Sequence, residues 1–141
     1  MNYGILRPMP LVRIDLIEGH PEKAISAIGD AVQAALVETM NVPQRDRFQV
    51  ITEHRKDRFV YNPSYLGVER TDRIVFVQVF LSKGRTTEQK QAFYASVARR
   101  MANAGMRPED LAVALVENTR EDWSFGNGIA QYVVLPKEEW K

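Results

Sequence analysis

A chain of 141 residues, 45% hydrophobic and 26% charged, has the size and composition of one soluble domain with its own core. Its formal charge of +1 supplies no global field for nucleic acid or an anionic membrane, so any electrostatic recognition is local. The absence of cysteine excludes disulfides, thiolate nucleophiles and Cys-based metal sites, and the two histidines, His20 and His54, are too few for a convincing metal centre, so neither metal nor cofactor is expected.

The opening stretch MNYGILRPM (1–9) lacks the charged and apolar regions of a signal peptide. The longest apolar run, IVFVQVFL (74–81), is too short to span a bilayer, which points to the cytoplasm. Residues 1–9 read as an extension in front of a single domain, 10–141. The Met9-Pro10 pair at the junction raises a chemical question. In the chain as printed, Pro10 is a tertiary amide with neither a proton nor a basic lone pair. A chain started at Met9 and stripped of that methionine would instead present Pro10 as an amino-terminal secondary amine, able to act as a base.

LVRIDLIE (11–18) has strand composition and is followed by Gly19, by Pro21 at a plausible first helical position, and by Ile25, Ile28, Val32 and Leu36 at helical spacing. Arg13 and Asp15 point to one face of that strand and read as a salt-linked pair at a solvent or subunit face. After NVP (41–43), RFQVITEH (47–54) alternates as a strand does. The unit then repeats. IVFVQVFLS (74–82) is apolar throughout, as for a strand buried on both faces; residues 86–105 carry Phe93, Val97 and Met101 at helical spacing; LAVALVEN (111–118) is the third element. A shift of 64 residues lays Asp46 on Asp110 and Glu53 on Glu117, and predicts a duplicated β-α-β with halves at about 10–54 and 74–118. Between them, residues 55–72 hold Asn-Pro and Leu-Gly turn signals and read as a hairpin or ordered loop. The tail EDWSFGNGIAQYVVLP (121–136) gathers Trp123, Phe125 and Tyr132 around two glycines and is expected to end in a short strand.

Chemistry is most legible in LSKGRTTEQKQ (81–91). Thr86 followed three residues later by Gln89 is a capping box, so the second helix starts there, with Lys83 and Arg85 just before its N-terminus. Cations there each cost about 0.3–1 kcal/mol unless something negative arrives. With Gly84 permitting close backbone approach they compose an anion site for a carboxylate or phosphate; the plainer alternative is that both side chains stretch into water. Asp46, between Arg45 and Arg47, could orient a water or a proton-carrying substrate group, or could simply cap a turn or pair at the surface. Trp123 and Phe125 could wall a small pocket or merely cover the core. His20 and His54 have no partner pattern and read as surface or capping residues.

Taken together, M-P-L-V-R-I-D-L-I-E-G, V-P-Q-R-D-R-F-Q, S-K-G-R-T-T-E-Q-K-Q-A-F-Y and D-W-S-F-G-N-G-I-A-Q-Y resemble the tautomerase superfamily, in particular its malonate semialdehyde decarboxylase-like branch, over Met9 to about Leu135. The resemblance implies an α+β fold of two helices on a four-stranded sheet with short hairpin strands, assembled as a homotrimer, and a cofactor-independent enzyme acting on a small 2-keto, enol or 3-oxo carboxylic acid. It implies Pro10 as the catalytic amino-terminal proline, Asp46 as the assisting acid, Arg85 and Lys83 as the pair gripping the substrate carboxylate, and Trp123, Phe125 and Tyr132 as an apolar wall. Where the decarboxylase pattern has two arginines flanking a proline, this chain has Lys-Gly-Arg, and lysine offers a point charge rather than a bidentate fork.

A free α-amine titrates near about 7.7–8.0, and neighbouring cations and apolar walls both lower that value, giving a base poised near neutrality. Such a group can carry a proton between the oxygen and carbon ends of an enol. It can also polarise a carbonyl while Asp46 activates water, or form an imine that serves as electron sink. The alternative to an enzyme is a carboxylate-binding protein without turnover, in which the extension keeps Pro10 acylated.

Overall fold

The computed structural model describes residues 10–140; the extension 1–9 lies outside the described residues. Strand β1 (Leu11–Ile17) is followed by helix α1 (Glu22–Met40) and strand β2 (Phe48–His54), and β5 (Val75–Ser82) by α2 (Thr87–Asn103) and β6 (Leu111–Asn118). Between these units sits the small hairpin β3 (Ser64–Tyr65) and β4 (Val68–Glu69), in the region where turn signals predicted one. The sheet order is β2-β1-β5-β6, parallel within each unit and antiparallel where β1 meets β5.

Both helices cover the same face of the sheet, which explains the alternation along its central strands. Val12, Ile14 and Leu16 of β1 and Val75, Val77, Val79 and Leu81 of β5 are buried against Ile28, Val32 and Leu36 of α1 and Phe93, Val97 and Met101 of α2. The helical spacings read from sequence are therefore the packing faces. Strand β5 departs from expectation. Among the described residues it is buried on a single face, with Phe76 on the open side, because none of their helices covers that side. Phe48, Val50 and Val116 share the exposed face, on which Arg13 and Asp15 also stand. Arg13 and Asp15 lie 4.0 Å apart, and the shorter contact of Asp15 is with His54 Nε2, at 2.6 Å. His54 is thus held by a carboxylate across the β1–β2 pair rather than being a plain surface residue.

Caps define the helix ends. Pro21 precedes the first helical residue of α1 and its carbonyl accepts from the Ala24 and Ile25 N–H groups. Asn41 closes the helix in the left-handed region at φ 57°, a conformation that asparagine tolerates better than most residues. At α2 the expected capping box is complete: Gln89 N–H donates to Thr86 Oγ1 (3.1 Å) and Thr86 N–H to Gln89 Oε1 (3.0 Å). The Gln89 amide also donates to the Thr39 carbonyl at 3.3 Å, tying the start of α2 to the end of α1.

Arg85 strengthens that tie. It is only 6% exposed, and its guanidinium donates to the Ser82 carbonyl (2.9 Å) and to the Met40 carbonyl (3.2 Å) at the last turn of α1. A helix leaves its last carbonyls unpaired and carries partial negative charge there, so a cation is favoured. The charge that looks misplaced before α2 in sequence is well placed after α1 in space.

The tail corrects one expectation. Residues 131–134 form a single helical turn, α3 (Gln131–Val134), in place of a short strand. The Gln131 side chain accepts from Phe125 N–H (2.8 Å) and donates to the Gly126 carbonyl (2.9 Å), folding the chain back on itself where a strand would extend it. Among the described residues no helix is long and apolar enough to cross a membrane.

Two stability effects are expected. Thr86→Ala removes the cap and lowers unfolding free energy by about 0.5–2 kcal/mol. Arg85→Met strands the Ser82 and Met40 carbonyls and costs about 1–3 kcal/mol for each left unpaired. Chemical denaturation of both variants against wild type measures the two losses.

Candidate active site

Because β1 runs antiparallel to β5, the starts of β1 and β2 and the ends of β5 and β6 meet at one end of the sheet. Leu11 stands opposite Phe48 and Phe80, so one step back places the buried Pro10 beside Arg47 on one side and Leu81 on the other. Every residue that the sequence nominated belongs to one of the segments arriving here.

On the β2 side, the turn before the strand is fixed from below. Buried Gln33 of α1 donates to the carbonyls of Gln44 (3.3 Å) and Asp46 (3.2 Å), and Asp46 N–H donates to the Pro43 carbonyl at 3.0 Å. Asp46 is half-buried. Arg47 turns away from it to Asp30 (2.9 Å) and Gln49 (3.2 Å), so that flanking cation serves α1 instead. Gln33 was invisible as a site-supporting residue in sequence, since a lone glutamine on a helix reads as surface.

On the β5–β6 side, Lys83 N–H donates to the Asn118 carbonyl at 2.8 Å, prolonging the strand pairing by one residue. Gly84 follows at φ 121°, a backbone that side chains resist. The turn thereby separates its two cations: Lys83 is exposed, whereas Arg85 folds under the loop to the carbonyls described above.

The aromatics do converge. Trp123 Nε1 donates to Asn118 Oδ1 at 2.8 Å, Trp123 stacks on Phe125 at 5.3 Å, and Phe125 meets Tyr132 edge-on at 5.0 Å and Phe48 of β2 at 6.4 Å. Trp140, from beyond α3, packs edge-on against Tyr132 at 5.0 Å. Tyr132 is buried, and its hydroxyl has no hydrogen-bond partner among the described residues. Burial first, and the negative charge of Asp46 second, push its ionisation far above the ordinary tyrosine range, so it stays a neutral hydroxyl.

A cleft of about 470 Å³ opens beside these groups, lined by Lys83, Asn118, Thr119, Arg120, Glu121 and Tyr132 among others. It brings together two residues expected from sequence, Lys83 and Tyr132, and adds Arg120, which sequence gave no reason to choose. Asp46 reaches this region through its effect on Tyr132. The neighbouring Asp122 is held below the usual carboxylate range, first by the Thr119 N–H, next by its hydroxyl, with Lys83 adding in the same direction.

His20 lies at the opposite end of the sheet. Both of its ring nitrogens are buried without a hydrogen-bond partner among the described residues, which corrects its reading as surface or capping. Burial, then the positive charge of Arg73, lower its affinity for a proton. It takes no part in the site at the Pro10 end.

Two family models described as tautomerase enzyme match the chain, one over residues 46–126 and one over residues 10–69. A probable tautomerase of Bacillus subtilis (strain 168), YusQ, is 44% identical over 126 residues, covering 89% of this chain and 99% of the relative. A second from the same organism, YrdN, is 40% identical with 89% and 97% covered. Among solved structures, a malonate semialdehyde decarboxylase inhibited by 3-bromopropiolate superposes with a TM-score of 0.81 at 41% identity, covering 87% of this chain and 94% of that one. A second malonate semialdehyde decarboxylase, described with decarboxylase and hydratase activities, gives 0.80 at 36% identity, with 87% and 95% covered. Fused 4-OT described as a symmetric trimer shares the fold at a TM-score of 0.70 and 23% identity, covering 88% of this chain and 98% of that one. With matched family models that together run from Pro10 to residue 126, and relatives aligned over nearly their full length, the chain belongs to the tautomerase enzymes.

Proposed function

We propose that this protein, in a form whose first residue is Pro10, interconverts the enol and keto forms of a small 2-keto or 3-oxo carboxylic acid. One observation carries the reading: the family match opens at residue 10, at the sheet end where Lys83 and the aromatic cluster border the cleft. In this reading the amine of Pro10 removes the enol hydroxyl proton and the resulting ammonium returns a proton to carbon, so no net proton is gained or lost. Lys83 offsets the charge that builds on the enolate oxygen, and a water-poor aromatic wall strengthens that attraction. Asp46 assists from the β2 side. Trp123, Phe125 and Tyr132 hold the substrate carbon skeleton. Arg85 joins Lys83 as the pair that grips the substrate carboxylate, its guanidinium oriented by the Ser82 and Met40 carbonyls.

A second reading is favoured by the similarity to malonate semialdehyde decarboxylases at 41% and 36% identity. There the protonated proline polarises a carbonyl and the same cation holds a carboxylate that leaves as carbon dioxide, or Asp46 activates a water for hydration. The open sheet face carrying Phe48, Val50, Phe76 and Val116 supports a homotrimer in which neighbouring copies cover it, as does the trimeric description of fused 4-OT. A small soluble acid in the cytoplasm is the matching substrate.

The extension sets the test. The full chain and a form beginning at Pro10 are compared for ketonisation of phenylenolpyruvate, followed by ultraviolet absorbance. The shortened form is expected to be faster by about 10²–10⁴-fold, the usual contribution of general acid–base catalysis. Pro10→Ala in the shortened form is expected to remove most of that gain. Equal rates from the long and short forms, or an undiminished Pro10→Ala variant, would overturn the proposal. Tyr132→Phe removes a buried hydroxyl that has no partner among the described residues, so the melting temperature of this variant is expected to equal or exceed that of wild type.

A further inference from the structure

We infer that the cavity at the far end of the sheet from Pro10 is a second, non-catalytic site, which binds a small monocarboxylic acid with an apolar body through Arg73. The 64-residue shift explains why a cavity lies there. Val75 opens β5 as Leu11 opens β1, Asp110 falls on Asp46, and His20 falls on Gly84. The approach to α1 and the exit from α2 flank this cavity, through His20 and Gly105, as the start of α2 and the end of α1 meet near the Pro10 end. The counterpart of Pro10 is Ile74, an internal residue whether the chain starts at Met1 or at Pro10. The cavity therefore has no amine with which to turn an acid over.

The cavity holds about 580 Å³, against about 470 Å³ for the cleft beside Lys83. Its apolar wall is Val75 and Met101, each 1% exposed, with Met106 packed on the same core. Concave apolar space with a few converging polar groups is the form that small-ligand sites take. Charge then selects the ligand. Asp110 is buried and accepts from the Thr71 N–H (2.7 Å), the Thr71 hydroxyl (2.8 Å) and Arg107 (3.3 Å), so this carboxylate is already matched. Arg73 is the cation left over. It lines the cavity, is exposed, and makes no ion pair among the described residues. The acid beside it in sequence, Asp72, is engaged by Lys56 (2.8 Å) and the Tyr61 hydroxyl (2.7 Å). Two lining arginines against one lining carboxylate leave one positive charge, which suits a monoanion.

His20 is an independent pointer to the same place. It lines the cavity, and both of its ring nitrogens are buried without a hydrogen-bond partner among the described residues. Arg73 lies near enough for its charge to be felt by that ring. A neutral imidazole has one N–H to donate, and a carboxylate drawn in by Arg73 is an acceptor on the same side of the molecule.

The test is a titration of the full chain with benzoate, and with neutral benzamide as control, followed by nuclear magnetic resonance of the histidine rings. The chain has two histidines, so His54→Gln identifies the His20 signals. Benzoate is expected to shift the His20 signals saturably, and benzamide to leave them in place. Arg73→Gln is expected to weaken benzoate binding by about 10- to 100-fold, the usual span for a lost hydrogen bond to a charged group. Lys83→Gln, at the other end of the sheet, is expected to leave the His20 titration unchanged. A wild-type His20 that ignores benzoate, equal affinity in Arg73→Gln, or an equal response to benzamide would overturn the inference. So would loss of the His20 titration in Lys83→Gln, which would place the benzoate in the cleft at the Pro10 end. None of these readings depends on turnover, so failure here leaves the proposed enol–keto activity standing.

Discussion

The guanidinium of Arg85 is the interaction on which the site depends. It satisfies a carbonyl at the end of α1 and another at the end of β5, joining two points 42 residues apart in sequence (82 − 40). A buried cation carries a large desolvation cost unless its donors are used, and here the partial negative charge of a helix terminus supplies the compensation. The same contact fixes where Lys83 emerges, because Gly84 forces the backbone to reverse between the two side chains. The capping box at Thr86 and the Gln89 bond to Thr39 add to this junction, so the start of α2 and the end of α1 behave as one unit.

The duplication has diverged in an instructive way. Asp46 and Asp110 occupy equivalent positions under the 64-residue shift, yet Asp110 is 2% exposed and spends its carboxylate on the Thr71 N–H (2.7 Å), the Thr71 hydroxyl (2.8 Å) and Arg107 (3.3 Å). Asp46 keeps a half-buried side chain while Gln33 holds its backbone. The turn equivalent to Lys83-Gly84-Arg85 is Gly19-His20-Pro21, which has no permanent cation. One repeat thus carries the charge-bearing turn, and its counterpart has become packing.

Local signals told most of the architecture. The spacing of Ile25, Ile28, Val32 and Leu36, the Thr86–Gln89 cap and the two β-α-β runs depend on neighbours a few residues away, and sequence displays such neighbours directly. The single-chain exposure of Phe76 was hidden because an uninterrupted apolar strand reads alike whether its second face meets a helix or another copy. The partners of Arg85 and Asp15 were hidden because each lies on another element: Met40 and His54 share no periodic relation with them. The helical turn at residues 131–134 was missed because it hangs on one side chain, Gln131, closing a loop around Gly126.

Residue 10 stands at the head of a strand paired on both sides, so the sheet itself sets the position of its backbone nitrogen. Such an atom has no rotamers to lose. A catalytic side chain must be frozen out of several torsional wells each time it acts, whereas a main-chain group at this position is immobilised once, when the strands zip together. In the proposed function, control over it accordingly passes from conformational change to the cleavage that frees residue 10, an irreversible event that happens once in the lifetime of each molecule.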